Sequence, residues 1–357
     1  MSQKVLLLTK NYPPQIGGME KYAFDLHNQL IQEWNEVRLI MARPRNEYLL
    51  ARASSWGYLE NFFYIISELF RLSSFAIIWF FQAVSWCTEI TRKPQKNDKI
   101  LIWSADASIA WLGLLICKFS MIFLLATRWK FKTRITGHGR DIALDQYFYQ
   151  KLLKYSLRNT DEIYAVSGKI KEIILNLWIP EKKITIHEHT LTNLHFSAAW
   201  VFDKILFLQK YGIPEDKILL FSIGRFVEKK WFHWFVAEVL PFLSDKFFYV
   251  LAGDGPFREK INHLIAEKWL SNIVLLWAVK DSIEKARLYS SMNYFIMPNI
   301  HVEWDCEGYG IVLLESQFYN LRSIVANVDG IDMRVTGRDI VLPSGVKTSW
   351  IECLNLL

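Results

Sequence analysis

The chain has 357 residues, of which 52% are hydrophobic and 22% charged, with a formal net charge of +6; that length suits two globular domains of roughly 150 to 200 residues rather than one core. The four cysteines (Cys87, Cys117, Cys306, Cys353) form no CxxC pair, which argues against structural zinc and for a reducing cytoplasm. No recognised nucleic-acid motif accompanies the positive charge, so it points instead to an anionic membrane face or a phosphorylated substrate.

In chain order, Val5 to Thr9 reads as a buried strand, with no signal-peptide apolar region ahead of it. The turn Asn11 to Gly18 follows, then a helix from about Met19 to Glu33 with Tyr22, Leu26 and Leu30 on one face. In Gly17-Gly18-Met19-Glu20 the paired glycines let backbone amides face a phosphate, and the helix dipole assists. This is not the GxGxxG dinucleotide fingerprint, which weakens a dehydrogenase reading. Glu36 to Met41 is a second strand. Residues 58 to 90 are strongly apolar and read as helical. Within them Leu72 to Thr88 carries no charge over 17 residues, short of the roughly 20 that span a bilayer, so a buried or interfacial helix is expected.

Strands at Lys99–Trp103, Thr133–Thr136 and Glu162–Val166 alternate with helices, as a doubly wound sheet requires. Arg128 to Arg134 alternates basic with other residues. As a strand it places its charges on one face, either a solvated edge or a contact for anionic headgroups. Thr136-Gly137-His138-Gly139-Arg140-Asp141 lies on the carboxyl edge of the sheet, where ligands bind. His138 is expected to be exposed between its flanking glycines. Ile184 to Phe196 closes this half.

A second βα series runs through Ile218–Ile223, Phe248–Ala252, Ile273–Leu276, Tyr294–Met297 and Ser323–Ala326, with the boundary near residue 200. After its first strand comes Gly224-Arg225, with Lys230 five residues on; a planar fork and a point charge together neutralise a leaving diphosphate. Gly253-Asp254-Gly255-Pro256 reads as turn chemistry. In Met297 to Glu315 the chain leaves a strand, turns through Gly308-Tyr309-Gly310 and enters an apolar helix. The glycines and the helix N-terminus suit a phosphate. Glu307 and Glu315, with seven residues between them, suit hydroxyl groups on either side of it. A diphosphate with a sugar at each end is a nucleotide-sugar. Asp305-Cys306-Glu307 only superficially resembles an acidic metal pair.

These motifs, in this order from residue 17 to 315, resemble those of retaining GT-B glycosyltransferases of the glycogen-synthase-like superfamily, family 4 type, similar to the phosphatidylinositol mannosyltransferases. The resemblance implies an α/β fold of two Rossmann-like, doubly wound parallel-sheet domains facing a cleft: residues 1–200 for the acceptor and 201–357 for the donor. It implies transfer of a hexose from GDP-mannose or a UDP-hexose to an acceptor hydroxyl, on a lipid-linked or cell-envelope glycan. His138, Glu307, Arg225 and Lys230 then form the catalytic set. His138 supports the reacting sugar, Arg225 and Lys230 meet the diphosphate, and Glu307 holds the hexose. Donor contacts fall to Gly17, Gly18, Gly253, Asp254, Gly308, Tyr309, Gly310, Ile311 and Glu315, with Glu315 on the ribose. No cofactor is obligatory and no metal site is expected, although a magnesium ion on the donor is compatible. An anionic membrane surface is an expected partner and the inner membrane face an expected location. The alternatives are a non-catalytic nucleotide-sugar-binding scaffold and a GT-B sugar-nucleotide epimerase. The chain departs from the family at His187-Glu188-His189-Thr190, where a Pro-Asn-Gly turn is usual, and at its C-terminus, where relatives often run on.

Tryptophan usage is anomalous. There are 15 tryptophans and 16 glycines, against roughly 25 glycines at about 7% usage. Trp34, Trp178 and Trp269 follow helices where a C-terminal glycine belongs, and Trp231, Trp277 and Trp304 also occupy slots that hold glycine in the family. The expectation is that about ten of the tryptophans are glycines whose UGA codons have been read as tryptophan; the alternative is a genuinely tryptophan-rich protein.

Overall fold

The computed structural model describes residues 3–13, 18–33, 36–41, 80, 82–83, 99–123, 130–144, 146–187, 204–279, 282–302, 310–328, 331 and 335–357. The chain divides into two compact units, Met1–Thr190 and Leu191–Leu357. The apolar stretch 58–90 lies almost wholly outside the described residues. Among the described residues, no helix is long and apolar enough to cross a membrane.

The first unit holds a six-stranded sheet in the order β2-β1-β3-β4-β5-β6, every neighbouring pair parallel. The strands are β1 (Gln3–Thr9), β2 (Glu36–Met41), β3 (Lys99–Ser104), β4 (Lys130–Gly137), β5 (Glu162–Ala165) and β6 (Ile184–Ile186). Val5 to Leu8 are completely buried, as a strand covered by helices on both faces must be. Helix α1 (Gly18–Glu33) buries Tyr22, Ala23, Leu26 and Leu30 against the sheet, the i, i+4 stripe that its sequence predicts. Helices α2 (Ala110–Phe123), α3 (Arg140–Ala143), α4 (Tyr147–Asn159) and α5 (Gly168–Asn176) follow. Ser167 caps α5 by accepting the Ile170 N–H at 3.3 Å, as expected of serine at that position.

Strand β4 is an interior strand, which corrects the expectation of a solvated edge. Two of its cations are already paired with one carboxylate: Arg134 Nε donates to Glu162 at 2.8 Å and Lys132 Nζ lies 3.3 Å from the same group. The Arg134 guanidinium also covers the rings of Trp103 and Tyr164, 4.5 and 4.4 Å from their centroids.

The second unit holds a second six-stranded sheet, β12-β11-β10-β7-β8-β9, again parallel. Its strands are β7 (Ile218–Arg225), β8 (Phe247–Asp254), β9 (Ile273–Leu276), β10 (Tyr294–Met297), β11 (Arg322–Asn327) and β12 (Ile340–Pro343). Counted within the unit this is the doubly wound order 6-5-4-1-2-3, which reverses between β7 and β10. The helices are α6 (Lys204–Lys210), α7 (Arg258–Glu267), α8 (Ser282–Ser291), α9 (Ile311–Phe318) and α10 (Lys347–Asn355). Between β7 and β8 the chain is α-helical over Phe232–Trp234, π over Phe235–Val239 and 3-10 over Leu240–Phe242. The core centres on β7 and β8, where Leu219 to Phe221 and Phe247 to Ala252 pack with Phe235, Tyr289, Phe295 and Trp350. Beneath it Tyr249 donates to Ser222 at 2.7 Å and Ser222 to the Ile296 carbonyl at 2.6 Å.

Candidate functional site

In the second unit the described members of the predicted site collect at the reversal of strand order. Register sets Gly224 against Gly253 and Arg225 against Asp254. A Cβ on Gly253 would stand 1.9 Å from the Gly224 carbonyl oxygen, and one on Gly255 would stand 2.6 Å from that of Phe226. Close backbone approach therefore dictates both glycines. The Phe226 N–H donates to the Asp254 carbonyl at 2.8 Å and the Phe257 N–H to that of Phe226 at 3.1 Å, locking the two loops together. The Ile300 N–H donates to the Lys229 carbonyl at 3.0 Å, which ties the Gly224–Lys230 loop to the stretch leaving β10. Arg225 is exposed and Lys230 half-buried, so two cations stand on the carboxyl edge of the sheet, where doubly wound folds take ligands. His233 stacks on Phe257, ring centroids 4.7 Å apart, and its buried Nδ1 has no partner among the described residues. Burial, then the charge of Lys260, lowers its pKa to about 4.

Gly310, left-handed at φ 62°, immediately precedes helix α9. Five residues on, Glu315 is 1% exposed. One carboxylate oxygen accepts from Lys285 Nζ at 2.5 Å and the other from the Tyr289 hydroxyl at 2.9 Å. Burial, then Glu315 itself, pushes the Tyr289 hydroxyl well above the usual phenol value, keeping it a donor. A carboxylate offers about four lone-pair sites, so Glu315 keeps acceptor capacity beyond these two bonds. The Lys285 and Tyr289 partnership escaped the sequence reading; its only trace there is the four-residue spacing that puts both on one face of α8.

In the first unit, His138 is 8% exposed, which corrects the expectation of an exposed imidazole. Its Nε2 lies 2.7 Å from the Ala105 carbonyl. Because a carbonyl can only accept, Nε2 carries a proton. Tyr22 packs edge-on, ring centroids 4.6 Å apart. The loop is built on Asp141, whose carboxylate accepts the backbone N–H groups of Ala107 (2.9 Å), His138 (2.9 Å) and Gly139 (2.8 Å). Asp141 was legible as part of the His138 motif, but its positioning role was not.

Of the other predicted residues, Gly18 opens α1 and is exposed, and Ile311 is the first residue of α9. Gly17, Glu307, Gly308 and Tyr309 lie outside the described residues. Among the described residues no three His, Cys, Asp or Glu side chains are grouped as a metal ion would require.

Residues 16–188 match the family described as Glycosyltransferase Family 4, and residues 203–339 match Glycosyl transferases group 1. No curated protein matches the sequence. Anabaena HepE in complex with UDP is similar in structure at TM-score 0.69 and 12% identity, over 99% of this chain and 89% of that one. A glycosyltransferase from Rickettsia africae ESF-5 is similar at TM-score 0.69 and 16% identity, over 100% and 88%. The catalytic domain of starch synthase IV from Arabidopsis thaliana, bound to ADP and acarbose, reaches TM-score 0.71 at 12% identity, over 100% and 91%. A glycosyltransferase family model is thus matched in each half of the chain, and its two Rossmann-like units have the GT-B fold.

Proposed function

We propose that the protein is a retaining hexosyltransferase that takes a sugar from a nucleoside diphosphate donor and passes it to an acceptor hydroxyl. The observation that supports this most is the packing of the Gly224–Lys230 and Gly253–Gly255 loops at the strand-order reversal. It holds Arg225 and Lys230 on the edge from which α9 and Glu315 also start. Cations fixed there stabilise the negative charge that gathers on a departing diphosphate, which is the chief way a protein speeds such a transfer. Glu315 is assigned to the ribose, Glu307 and the amides of residues 308–311 to the hexose, and Gly253-Asp254 to the turn beside the base. His138, held on Ala105, is assigned to the reacting sugar, and Gly17-Gly18 to the phosphate-facing turn. The UDP, UDP-glucose and ADP named with HepE and starch synthase IV favour a nucleotide-sugar as donor. No metal is assigned to the reaction.

The acceptor is proposed to be a lipid-linked or cell-envelope glycan at the inner membrane face. The net charge of +6 and the uncharged run Leu72 to Thr88 support this. The basic strip contributes less than its sequence suggests, since Lys132 and Arg134 already share the Glu162 carboxylate, which offsets one of their two charges.

The test is nucleotide release across UDP- and GDP-hexoses, with and without anionic lipid, and the anomeric configuration of the product by NMR. Release from one donor, stimulated by lipid, lost in Glu307→Ala and giving a retained anomer, supports the proposal. Binding without release favours the scaffold reading, for which Trp231 beside Lys230 is the specific observation.

A further inference from the structure

Only four described residues other than glycine have positive φ: Trp178 (62°), Trp231 (51°), Trp269 (51°) and Asn320 (60°). Asparagine visits this left-handed region readily, but a bulky side chain there is strained. The chain supplies its own controls. After α6, Gly212 at φ 63° donates to the Gln209 carbonyl at 3.2 Å and Ile213 to that of Leu208 at 2.8 Å. After α9, Asn320 donates to Gln317 and Leu321 to Ser316, each at 2.9 Å. After α7, Trp269 donates to Ala266 at 3.2 Å and Leu270 to Ile265 at 3.1 Å. These are three copies of one helix-ending motif, whose left-handed position glycine normally fills. Trp178 ends α5 in the same left-handed state and donates to Leu175 at 2.9 Å.

The indoles at these two helix ends gain nothing that offsets the strain, since Trp178 is 82% and Trp269 91% exposed. Trp231 joins the Glu228–Lys230 turn to the helix that begins at Phe232, stacks on Trp234 and crowds Gly345. Trp103 and Trp350 differ in every respect. Both are buried, neither has positive φ, and each donates its indole N–H, to Thr136 Oγ1 at 2.9 Å and to the Pro343 carbonyl at 3.1 Å. Trp277 is exposed without being left-handed and stands outside the inference.

We infer that positions 178, 231 and 269 are glycine in the protein as its own cell makes it. The codon rendered here as tryptophan is decoded there as glycine, whereas Trp103 and Trp350 come from true tryptophan codons. At 231 the consequence bears on the proposed donor loop and rests on that reading: glycine removes an indole from beside Lys230.

The test is peptide sequencing by tandem mass spectrometry of the protein purified from the cells that make it. Glycine at 178, 231 and 269 with tryptophan at 103 and 350 is the expected result. Tryptophan at any of the first three overturns the inference, and so does glycine at 103 or 350. This readout is residue mass, so it stands or falls independently of glycosyltransferase activity. In protein made with tryptophan throughout, Trp178→Gly and Trp269→Gly should each raise the folded-to-unfolded ratio about 2- to 5-fold, the relief of left-handed strain less the larger chain entropy of glycine. A fall in that ratio at both positions also overturns the inference.

Discussion

Gly224 and Gly253 face each other across β7 and β8 so closely that a Cβ on Gly253 would lie 1.9 Å from the Gly224 carbonyl oxygen. The neighbour is backbone within a sheet, so it has no rotamer through which to yield. Gly253→Ala is therefore expected to cost roughly 3 kcal/mol or more, read by chemical denaturation. Gly337→Ala is the control: its Cβ meets nothing within 4 Å, and its cost should stay within about 0.5 kcal/mol.

Glu315 depends on two side chains of α8. Removing the Lys285 ammonium leaves a carboxylate that is 1% exposed without its cation. Lys285→Met should destabilise by about 3 kcal/mol. Tyr289→Phe, which removes one neutral donor, should cost about 1 to 2 kcal/mol. Calorimetric titration with nucleoside diphosphates should show weaker binding in Glu315→Gln, if Glu315 holds the ribose as proposed.

Asp141 organises the His138 loop through three backbone amides. Asp141→Ala leaves three buried donors unmet and should cost about 3 kcal/mol. Asp141→Asn retains an acceptor oxygen and should cost less. Hydrogen exchange at the amides of 107, 138 and 139 should rise in both variants, most in Asp141→Ala.

His233 gives a pH dependence of definite sign. Its folded-state pKa is about 4, below the ordinary 6.5, through burial and then Lys260. Between those values the unfolded chain takes up a proton that the folded chain refuses. The stability that His233 contributes is thus complete above pH 6.5 and is lost as pH falls towards 4. His233→Phe preserves a ring against Phe257 and removes the titration. Its stability curve should be flatter than that of the parent in this window, as read by urea denaturation at successive pH values.

Much of the architecture was legible before folding. Continuous apolar runs such as Leu219 to Phe221 mark strands buried on both faces. The glycine-punctuated turns after β7 and β8 mark the carboxyl edge of the sheet because each follows such a run. Local pattern sets these features, and the strand positions agree to within a few residues. Strand β12 was missed because Ile340 to Pro343 is short, lies at the sheet edge and ends in proline, so it lacks the long apolar signature of the interior strands.

Sequence by itself determined the alternation of strands and helices, the order of the motifs and the glycine-type slots occupied by tryptophan. Each is a property of neighbouring residues. Tertiary structure alone decided what the candidate side chains meet. Glu315 is clasped by residues 30 and 26 positions away, and His138 is buried by Tyr22 and the Ala105 carbonyl. Arg134 and Lys132 both pair with Glu162, 28 and 30 residues on. A local pattern carries backbone preference and amphipathic period, but partners this far apart in the chain meet only when the sheet assembles.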